Sequence, residues 1–207
     1  EAGRGPAAGG VFASAVCFYK RSRTLLEKLS ILNDSKQLSK KKRETLYDII
    51  KEETINHTVC VGVDEIEKIN ILNASLKAMK LAVEDVLKRA SLAETLDGNM
   101  TKFMVLVDGN KMIKDFDMCS QRWVVKGDSK SASIAAASIL AKVTRDRYME
   151  ELDEKYPQYG WAKNAGYLTK EHLAAIDKYG LTEFHRPSFL RKHFEKLKEE
   201  KEQLSLF

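Results

Sequence analysis

Cysteines are few in this chain, and no apolar run is long enough to cross a bilayer. The three cysteines among 207 residues, Cys17, Cys60 and Cys119, are odd in number and show no metal-ligand spacing. Cys17 and Cys60 lie in apolar runs, so we expect buried thiols, which suit a reducing cytoplasm. No apolar run approaches the roughly 18 residues of a membrane span, and no signal peptide is visible. We therefore expect a cytoplasmic protein without a membrane partner.

The composition is that of a domain with a substantial core. Hydrophobic residues make up 43% of the chain, and its length suits one domain or one domain with a small appendage. The net charge of +5 is unevenly placed, because residues 20–43 hold nine Lys or Arg against two acidic residues. Such a segment attracts a polyanion such as nucleic acid, unless it is only a solvated helix face.

Two related phrases each end an apolar run with an aspartate beside a glycine. They are Val105–Gly109 and Val124–Asp128, and each apolar run indicates a buried strand. Ligands of α/β sheets collect at the carboxyl edge of the strands, so Asp108 and Asp128 would form a cradle for a hard divalent cation. Glu1, just ahead of a glycine-rich stretch, is a third candidate. The alternative is that each aspartate only caps a turn or helix.

Strands and helices alternate along the chain, which predicts a mixed sheet flanked by helices. Predicted strands cover 11–18, 59–63 and the two runs that end in aspartate. Predicted helices cover 39–53, 72–90, 131–155, 169–178 and 190–202, with a short helix or turn at 64–69 and a loop at 92–101. The second half of the 131–155 helix is rich in charge, so we expect it to emerge into solvent.

Eight motifs, in order and spread over nearly the whole chain, resemble bacterial ribonuclease HII. They are Glu-Ala-Gly-Arg-Gly-Pro at 1–6, Asn-Asp-Ser-Lys at 33–36, Asn-Ile-Leu-Asn-Ala-Ser at 70–75, Val-Asp-Gly-Asn at 107–110, Lys-Gly-Asp-Ser-Lys-Ser at 126–131, the helical run at 133–146, Gly-Tyr-Leu-Thr-Lys-Glu-His at 166–172 and His-Arg-Pro-Ser-Phe at 185–189. The resemblance implies an α/β, RNase H-like fold with a mixed five-stranded sheet and a helical C-terminal region. Residues 1–155 would be the catalytic core, 156–202 the helical region of the same domain, and 203–207 a tail.

The resemblance also implies an activity and a metal site. The family hydrolyses the RNA strand of RNA–DNA hybrids and nicks duplex DNA 5′ of a single embedded ribonucleotide, which starts ribonucleotide excision repair. Its site holds two Mg²⁺ or Mn²⁺ ions with four carboxylates, and Glu1, Asp108 and Asp128 match the last three. Two-metal hydrolysis of this kind leaves a 5′-phosphate and a 3′-hydroxyl.

Substrate-binding residues are implied by the same resemblance. Gly3, Arg4 and Gly5 resemble the family loop that reads the 2′-hydroxyl, where glycine lets the backbone approach the sugar. Tyr167 matches a tyrosine that stacks on the neighbouring deoxyribose. Plausible phosphate contacts are Lys36, Lys126 and Lys130. His185 and Arg186 match a family motif without an assigned role, and the histidines expected at the surface or just behind the site are His57, His172 and His193.

Two departures from the family pattern stand out. The family's first catalytic aspartate lies ahead of Glu1 and has no counterpart here, nor does the central strand that carries it. We therefore expect a truncated chain that binds metal poorly and is weakly active or inactive. Asn164 and Ala165 stand where the family often has His and Lys, which affects a phosphate contact or local packing.

The C-terminal residues 203–207 resemble the bacterial motif that docks into the sliding clamp of the replicative polymerase. Gln203 would anchor by hydrogen bonds, and Leu206 and Phe207 would fill an apolar cleft, with Leu204 as part of the motif. Exposed apolar termini favour such a pocket. The alternative is a tail folded back onto the core. We expect the protein itself to be a monomer.

Two other functions stay open at this point. A non-catalytic nucleic-acid-binding or clamp-binding module is one, because a catalytic carboxylate is missing. The other is ribonuclease HIII, which shares the carboxylates but typically carries an additional N-terminal substrate-binding domain.

Overall fold

Four strands and six α-helices make up the part of the chain that the computed structural model describes, residues 1–18, 39–96 and 103–204, with side chains described outside 94–96 and 200–204. The strands are β1, Val11–Cys17; β2, Ile55–Val61; β3, Met104–Asp108; and β4, Ser120–Val124. The α-helices are α1, Lys40–Glu53; α2, Val63–Leu96; α3, Ala132–Lys155; α4, Trp161–Asn164; α5, Lys170–Tyr179; and α6, Pro187–Leu204. Within the described ranges, none of these helices is long and apolar enough to cross a membrane.

The strands pair in both senses but in separate sheets, so the described residues do not form the expected single mixed sheet of five strands. β1 and β2 are antiparallel, with Val11 opposite Val61 and Cys17 opposite Ile55. β3 and β4 are parallel, with Asp108 opposite Val124. In the described residues these pairs form two two-stranded sheets, and the RNase H-like α/β expectation is met by two ribbons flanked by helices.

A cavity of about 300 Å³ lies between the two ribbons. Its lining includes residues 14–18 of the β1 edge and 103–108 of the β3 edge, together with side chains of α2 and α3. Glu1 lines the same cavity. Next to it, Ala2 makes an antiparallel bridge to Phe12, with reciprocal N–H···O bonds of 2.8 and 2.9 Å. Strand edges of both ribbons therefore border one opening, with a carboxylate among the lining residues.

The helix starts follow local sequence signals. Ser39 caps α1, Ser131 caps α3 and Thr169 caps α5, each with its side-chain oxygen accepting a backbone N–H three residues on. Asn70, at φ 65°, interrupts α2, and its Oδ1 accepts from the N–H groups of Leu72 and Asn73 at 3.1 Å. The predicted break between 69 and 72 is therefore confirmed.

Several predicted boundaries are wrong. α2 continues to Leu96, so the predicted loop at 92–101 starts too early, because residues 91–96 contain no glycine or proline. β2 begins at Ile55 rather than at residue 59. The polar residues at 56–58 interrupt the apolar run from which the strand was predicted. β4 ends at Val124, where the predicted strand 124–128 should begin.

The core joins α3 to elements at both of its ends. Ile139, Leu140 and Val143 pack against Leu46 and Ile50 of α1. Farther along, Met149 and Leu152 pack against Trp161, Leu190 and the glycine-rich N-terminal stretch. The expectation that the second half of this helix emerges into solvent is therefore wrong on one face, where Met149 and Leu152 are buried together with the charged residue Arg145.

The cysteine prediction also needs correction. Cys17 is half-buried and Cys60 is exposed, because β1 and β2 form a ribbon of only two strands. Such a ribbon does not cover both faces of an apolar run.

Some predicted site residues lie outside the described part of the chain. Gln203 and Leu204 end α6, but their side chains are not described. Residues 205–207 and Lys36 lie outside the described part altogether. The predictions made for these residues stay predictions.

Candidate active site

Asp108 ends β3 and lies at the cavity between the ribbons. It is half-buried and lines the cavity together with Glu1. Its Oδ1 accepts a hydrogen bond of 2.8 Å from the backbone N–H of Gly127. A Cβ at Gly127 would stand 2.5 Å from Ile134 Cδ1 and 3.1 Å from Asp108 Oδ1. Only glycine allows this close approach, which ties the end of β3 to the loop before α3.

Asp128 reaches the same corner by a turn rather than by a strand. After β4, Lys126 adopts a left-handed conformation with φ 54°, and Gly127–Ser129 form a short 3-10 helix. Asp128 is half-buried, with its Oδ1 accepting from Ser129 N at 3.0 Å. The prediction that Asp128 lies at the end of a strand is wrong. Its neighbour in sequence, Gly127, nevertheless donates the hydrogen bond to Asp108.

Glu1 is paired with Arg4. Arg4 Nη1 lies 3.1 Å from Glu1 Oε1, with the two side chains 48% and 22% exposed. An ion pair this accessible is worth at most about 1 kcal/mol, so it does not fix either side chain strongly. Arg4, which is predicted to bind substrate, is therefore ion-paired with Glu1, one of the predicted metal ligands.

The donor chemistry of this corner fits a hard cation, but the carboxylates are not gathered into a finished cluster. Glu1, Asp108 and Asp128 offer carboxylate oxygens, which Mg²⁺ and Mn²⁺ prefer. Within the described parts of the chain, no group of three or more His, Cys, Asp or Glu is placed to hold a metal ion. The three residues lie near one corner of the fold without forming a closed site there.

The glycine-rich loop contacts Tyr167 through Gly5. A Cβ built on Gly5 would stand 3.2 Å from Tyr167 Cε1, so the aromatic ring lies directly over this glycine. The ring of Tyr167 is 54% exposed although one edge contacts the loop. The structure thus brings together Gly5 and Tyr167, two residues predicted to contact the sugars of the substrate.

Two buried arginines hold the glycine-rich loop through its carbonyl groups. Arg145 of α3 donates to Gly10 O at 3.2 Å and Ala8 O at 2.9 Å. Arg186 donates to Pro6 O and Gly9 O, each at 2.8 Å. Burial lowers the pKa of both guanidinium groups, that of Arg186 to about 10, which leaves them protonated at neutral pH. Five fixed donors per guanidinium suit such a cradle of carbonyls.

These arginines are the main site feature that sequence reasoning missed. Arg186 matches a family motif to which the sequence assigns no role. In the structure it holds the loop that precedes β1. Arg145 lies in a charge-rich stretch where burial was not expected. A weak signal existed, because helical spacing puts Arg145 on the same face as Ile134, Ala141 and Leu152, all of them buried.

Of the two positions expected for His172, at the surface or just behind the site, the structure has the second, because this histidine is completely buried. It lies against buried His185 and Trp161, behind Tyr167. Burial lowers the pKa of both imidazoles, that of His185 to about 4.

The described candidates for phosphate contacts are Lys126 and Lys130. Both are exposed on either side of Asp128, where a nucleic-acid backbone can reach them from solution.

Comparisons with known proteins give one family. A family model described as Ribonuclease HII matches residues 1–197. A ribonuclease HII of Fusobacterium nucleatum is 50% identical over 199 residues, covering 94% of this chain and 85% of the relative. The crystal structure of ribonuclease H2 from Pyrococcus horikoshii OT3 is similar with a TM-score of 0.66 at 26% identity, covering 96% of each chain.

A second solved structure has the same fold. It is the PCNA:RNase HII complex from Archaeoglobus fulgidus, with a TM-score of 0.65 and 22% identity over 90% of each chain. The matched family model is that of ribonuclease HII rather than ribonuclease HIII, which decides between those two readings of the motifs. The chain belongs to the ribonuclease HII family, the type II ribonuclease H hydrolases that act on RNA–DNA substrates.

Proposed function

We propose that this site also recognises a single ribonucleotide in duplex DNA and directs the nick to its 5′ side. The observation that supports this best is the contact between Gly5 and the Tyr167 ring, next to the Glu1–Arg4 pair. A backbone without a Cβ and an exposed aromatic ring lie there, and this glycine is four residues along the chain from the Glu1 carboxylate. Because the 2′-hydroxyl distinguishes RNA from DNA at one nucleotide, sugar contacts beside the carboxylates give the needed selectivity.

The residues that would hold two Mg²⁺ or Mn²⁺ ions are Glu1, Asp108 and Asp128. When bound there, the ions would supply Lewis-acid activation of a water and charge stabilisation at the leaving 3′ oxygen, and the products would carry a 5′-phosphate and a 3′-hydroxyl. The Asp108 carboxylate is oriented for this by the Gly127 N–H, which occupies its Oδ1. Glu1 must exchange its exposed partner Arg4 for metal, which costs little for a pair of this accessibility.

The remaining roles fall to groups that touch the nucleic acid. Backbone groups of Gly3 and Gly5 approach the ribose, since no Cβ blocks them. The Tyr167 ring provides a flat apolar surface for the adjoining deoxyribose. Exposed Lys126 and Lys130 contact phosphates, which positions the duplex without reading its sequence. Substrate charge and substrate sugar are thus recognised by different residues.

The decisive experiment adds a further carboxylate ahead of Glu1. An extended segment that continues upstream of Glu1 in the register of the Ala2–Phe12 bridge would run along β1 into the cavity. We propose to add an apolar strand ending in aspartate and, as matched control, the same strand ending in asparagine. With Mg²⁺ or Mn²⁺, the aspartate form should nick a duplex carrying one ribonucleotide and leave an all-DNA duplex intact. The asparagine form should be slower by roughly 100-fold or more, because a metal contributes several kcal/mol.

Two outcomes would contradict the proposal. Equal nicking of the all-DNA duplex by the aspartate form would remove the sugar selectivity. Tight binding of the ribonucleotide duplex without nicking by either form would favour the non-catalytic binding module instead.

We also propose that the tail after α6 docks into a sliding clamp. The support is the motif at residues 203–207, whose first two residues end α6, and the name of the archaeal neighbour solved with PCNA. Deleting residues 203–207 should abolish clamp pull-down and leave hydrolysis without clamp unchanged. Ser205→Ala, which spares the apolar and amide positions, is the matched control. If the deletion variant still pulls down the clamp, docking through this tail is ruled out.

A further inference from the structure

The backbone carbonyl of Tyr167 lies at the end of a buried hydrogen-bond network. His172 Nδ1 is 2.9 Å from Tyr167 O. The other ring nitrogen, Nε2, lies 3.0 Å from Trp161 Nε1 and 3.2 Å from His185 Nε2. His185 Nδ1 in turn lies 3.0 Å from the backbone N of Thr182. These contacts join three elements behind the exposed ring of Tyr167.

The donors in this network determine where the protons are. The backbone N–H of Thr182 can only donate, so His185 Nδ1 accepts and His185 carries its proton on Nε2. The indole N–H of Trp161 can also only donate, so His172 Nε2 is an acceptor for both Trp161 and His185. The His172 proton is therefore on Nδ1, where it donates to the Tyr167 carbonyl. Both imidazoles are neutral, in agreement with pKa values lowered by burial.

The segment that ends in Tyr167 is held at each of three consecutive carbonyls. Ala165 O accepts from Arg145 Nη1 at 3.0 Å, and Gly166 O accepts from the backbone N–H of Ala7 at 2.9 Å. Tyr167 O accepts from His172 and from the N–H of Thr169. The backbone is thus attached to α3, to the glycine-rich loop and to α5 at successive residues, while the Tyr167 side chain remains exposed.

We propose that His172, oriented by Trp161 and His185, is a positioning residue that holds the Tyr167 ring against Gly5. It acts through Tyr167 and touches no substrate itself. This inference rests on the proposed function, in which Tyr167 contacts the sugar beside the ribonucleotide. Its consequence is that the affinity for a ribonucleotide-containing duplex depends on one imidazole proton located behind the site.

Two substitutions of His172 separate positioning from packing. In His172→Asn, the amide nitrogen takes the place of Nδ1 and can still donate to Tyr167 O, but no acceptor remains for Trp161 and His185. In His172→Gln, the end of the side chain takes the place of Nε2 and can still accept, but the donor to Tyr167 O is lost. A purely structural role predicts that the asparagine variant is the worse one, because it leaves two buried N–H groups unpaired.

The measurement is equilibrium binding of the full chain to a duplex with one ribonucleotide, with an all-DNA duplex for comparison. Positioning predicts that His172→Gln weakens binding of the ribonucleotide duplex by about 3- to 10-fold, the range of one neutral hydrogen bond. His172→Asn should stay within about 2-fold of wild type although it unfolds at a lower temperature. In a Tyr167→Ala background, the two variants should bind alike.

The outcomes distinguish this inference from the proposed function. If His172→Gln binds like wild type, or if it weakens binding equally in the Tyr167→Ala background, His172 does not act through Tyr167 and only this inference fails. If Tyr167→Ala alone leaves binding of the ribonucleotide duplex unchanged, the substrate role of Tyr167 fails, and the inference fails with it.

Discussion

The two sides of the candidate site are built differently. On the sugar side, buried Arg145 and Arg186 and the His172 network hold the glycine-rich loop and Tyr167 through a series of hydrogen bonds. On the carboxylate side, Glu1 is held by one exposed ion pair, and Asp108 borders an open cavity. Buried polar groups need partners, so the sugar side is fixed by the fold itself. The carboxylates proposed to bind metal must keep oxygen atoms available for it, so few contacts within the fold hold them.

The carboxylate side should carry the largest effect on rate and almost none on stability. In the strand-extended protein, Asp108→Asn should reduce nicking by roughly a thousand-fold, since loss of metal binding costs several kcal/mol. The asparagine oxygen can still accept from Gly127 N, so the midpoint of urea unfolding should hardly change. The measurement pairs single-turnover nicking with urea unfolding.

The control for this variant is Asp115→Asn, which makes the same charge change in an exposed loop residue outside the cavity lining. Asp115 has φ 50°, a conformation that asparagine tolerates. If both variants slow nicking equally, net charge rather than metal binding is responsible.

The sugar side should show the reverse pattern, with a large effect on stability. Arg186→Met keeps much of the side-chain volume but leaves the buried carbonyls of Pro6 and Gly9 without their donor. At about 1–3 kcal/mol for each unsatisfied group, the free energy of unfolding should fall by about 3 kcal/mol, measured by urea denaturation. Arg4→Met is the matched comparison at an exposed site and should cost less than about 1 kcal/mol. Equal losses at both positions would mean that the two sides do not differ.

Acid should weaken the sugar side in a defined pH range. The folded His185 has a pKa lowered by burial and by neighbouring His172 to about 4, against about 6.5 in the unfolded chain. Below pH 6.5 the unfolded chain therefore binds a proton that the folded chain does not, and stability falls until pH approaches 4. The full contribution of His185 is about 3 kcal/mol.

Urea unfolding between pH 7 and pH 4 tests this expectation. His185→Asn, whose side-chain oxygen can accept from the Thr182 N–H, should remove this part of the pH dependence and leave a shallower slope. An unchanged slope in the variant would show that His185 is not the group that couples folding to pH. The buried groups around it, Trp161, Tyr159 and His172, include only one other imidazole, so the comparison has few competing explanations.

Sequence signals were sufficient where the cause is local. The caps at Ser39 and Thr169 and the break at Asn70 depend on side chains that bond to backbone groups within three residues. The end of β3 at Asp108 follows from an apolar run bounded by glycine. Each of these features needs only neighbours in the chain, so a pattern can predict it.

The remaining features depend on partners that are distant in sequence. Arg145 donates to carbonyl groups that are 135 and 137 residues away in sequence. A charged residue in a predicted helix gives no sign of partners so distant in the chain. Asp128 reaches its corner because Lys126 takes a left-handed conformation, which few patterns would favour for lysine. For His172 the sequence left open whether it lies at the surface or just behind the site, because the cluster that encloses it comes from α4, α5 and the loop before α6. Long-range hydrogen bonds, rather than propensities, decide these positions.

The smallest effect is expected at Arg4, which links the two sides. It belongs to the glycine-rich loop but pairs with Glu1 in solvent, so neither side depends on it for its structure. Arg4→Gln should leave the free energy of unfolding within about 0.5 kcal/mol of wild type. It should weaken binding to a ribonucleotide duplex at low salt and reduce the slope of log affinity against log salt by at most about one, the change expected when one cation is removed from a nucleic-acid-binding surface. Arg4→Lys keeps the charge and should keep the slope, so an equal loss in both variants would show that Arg4 acts through guanidinium geometry rather than through charge.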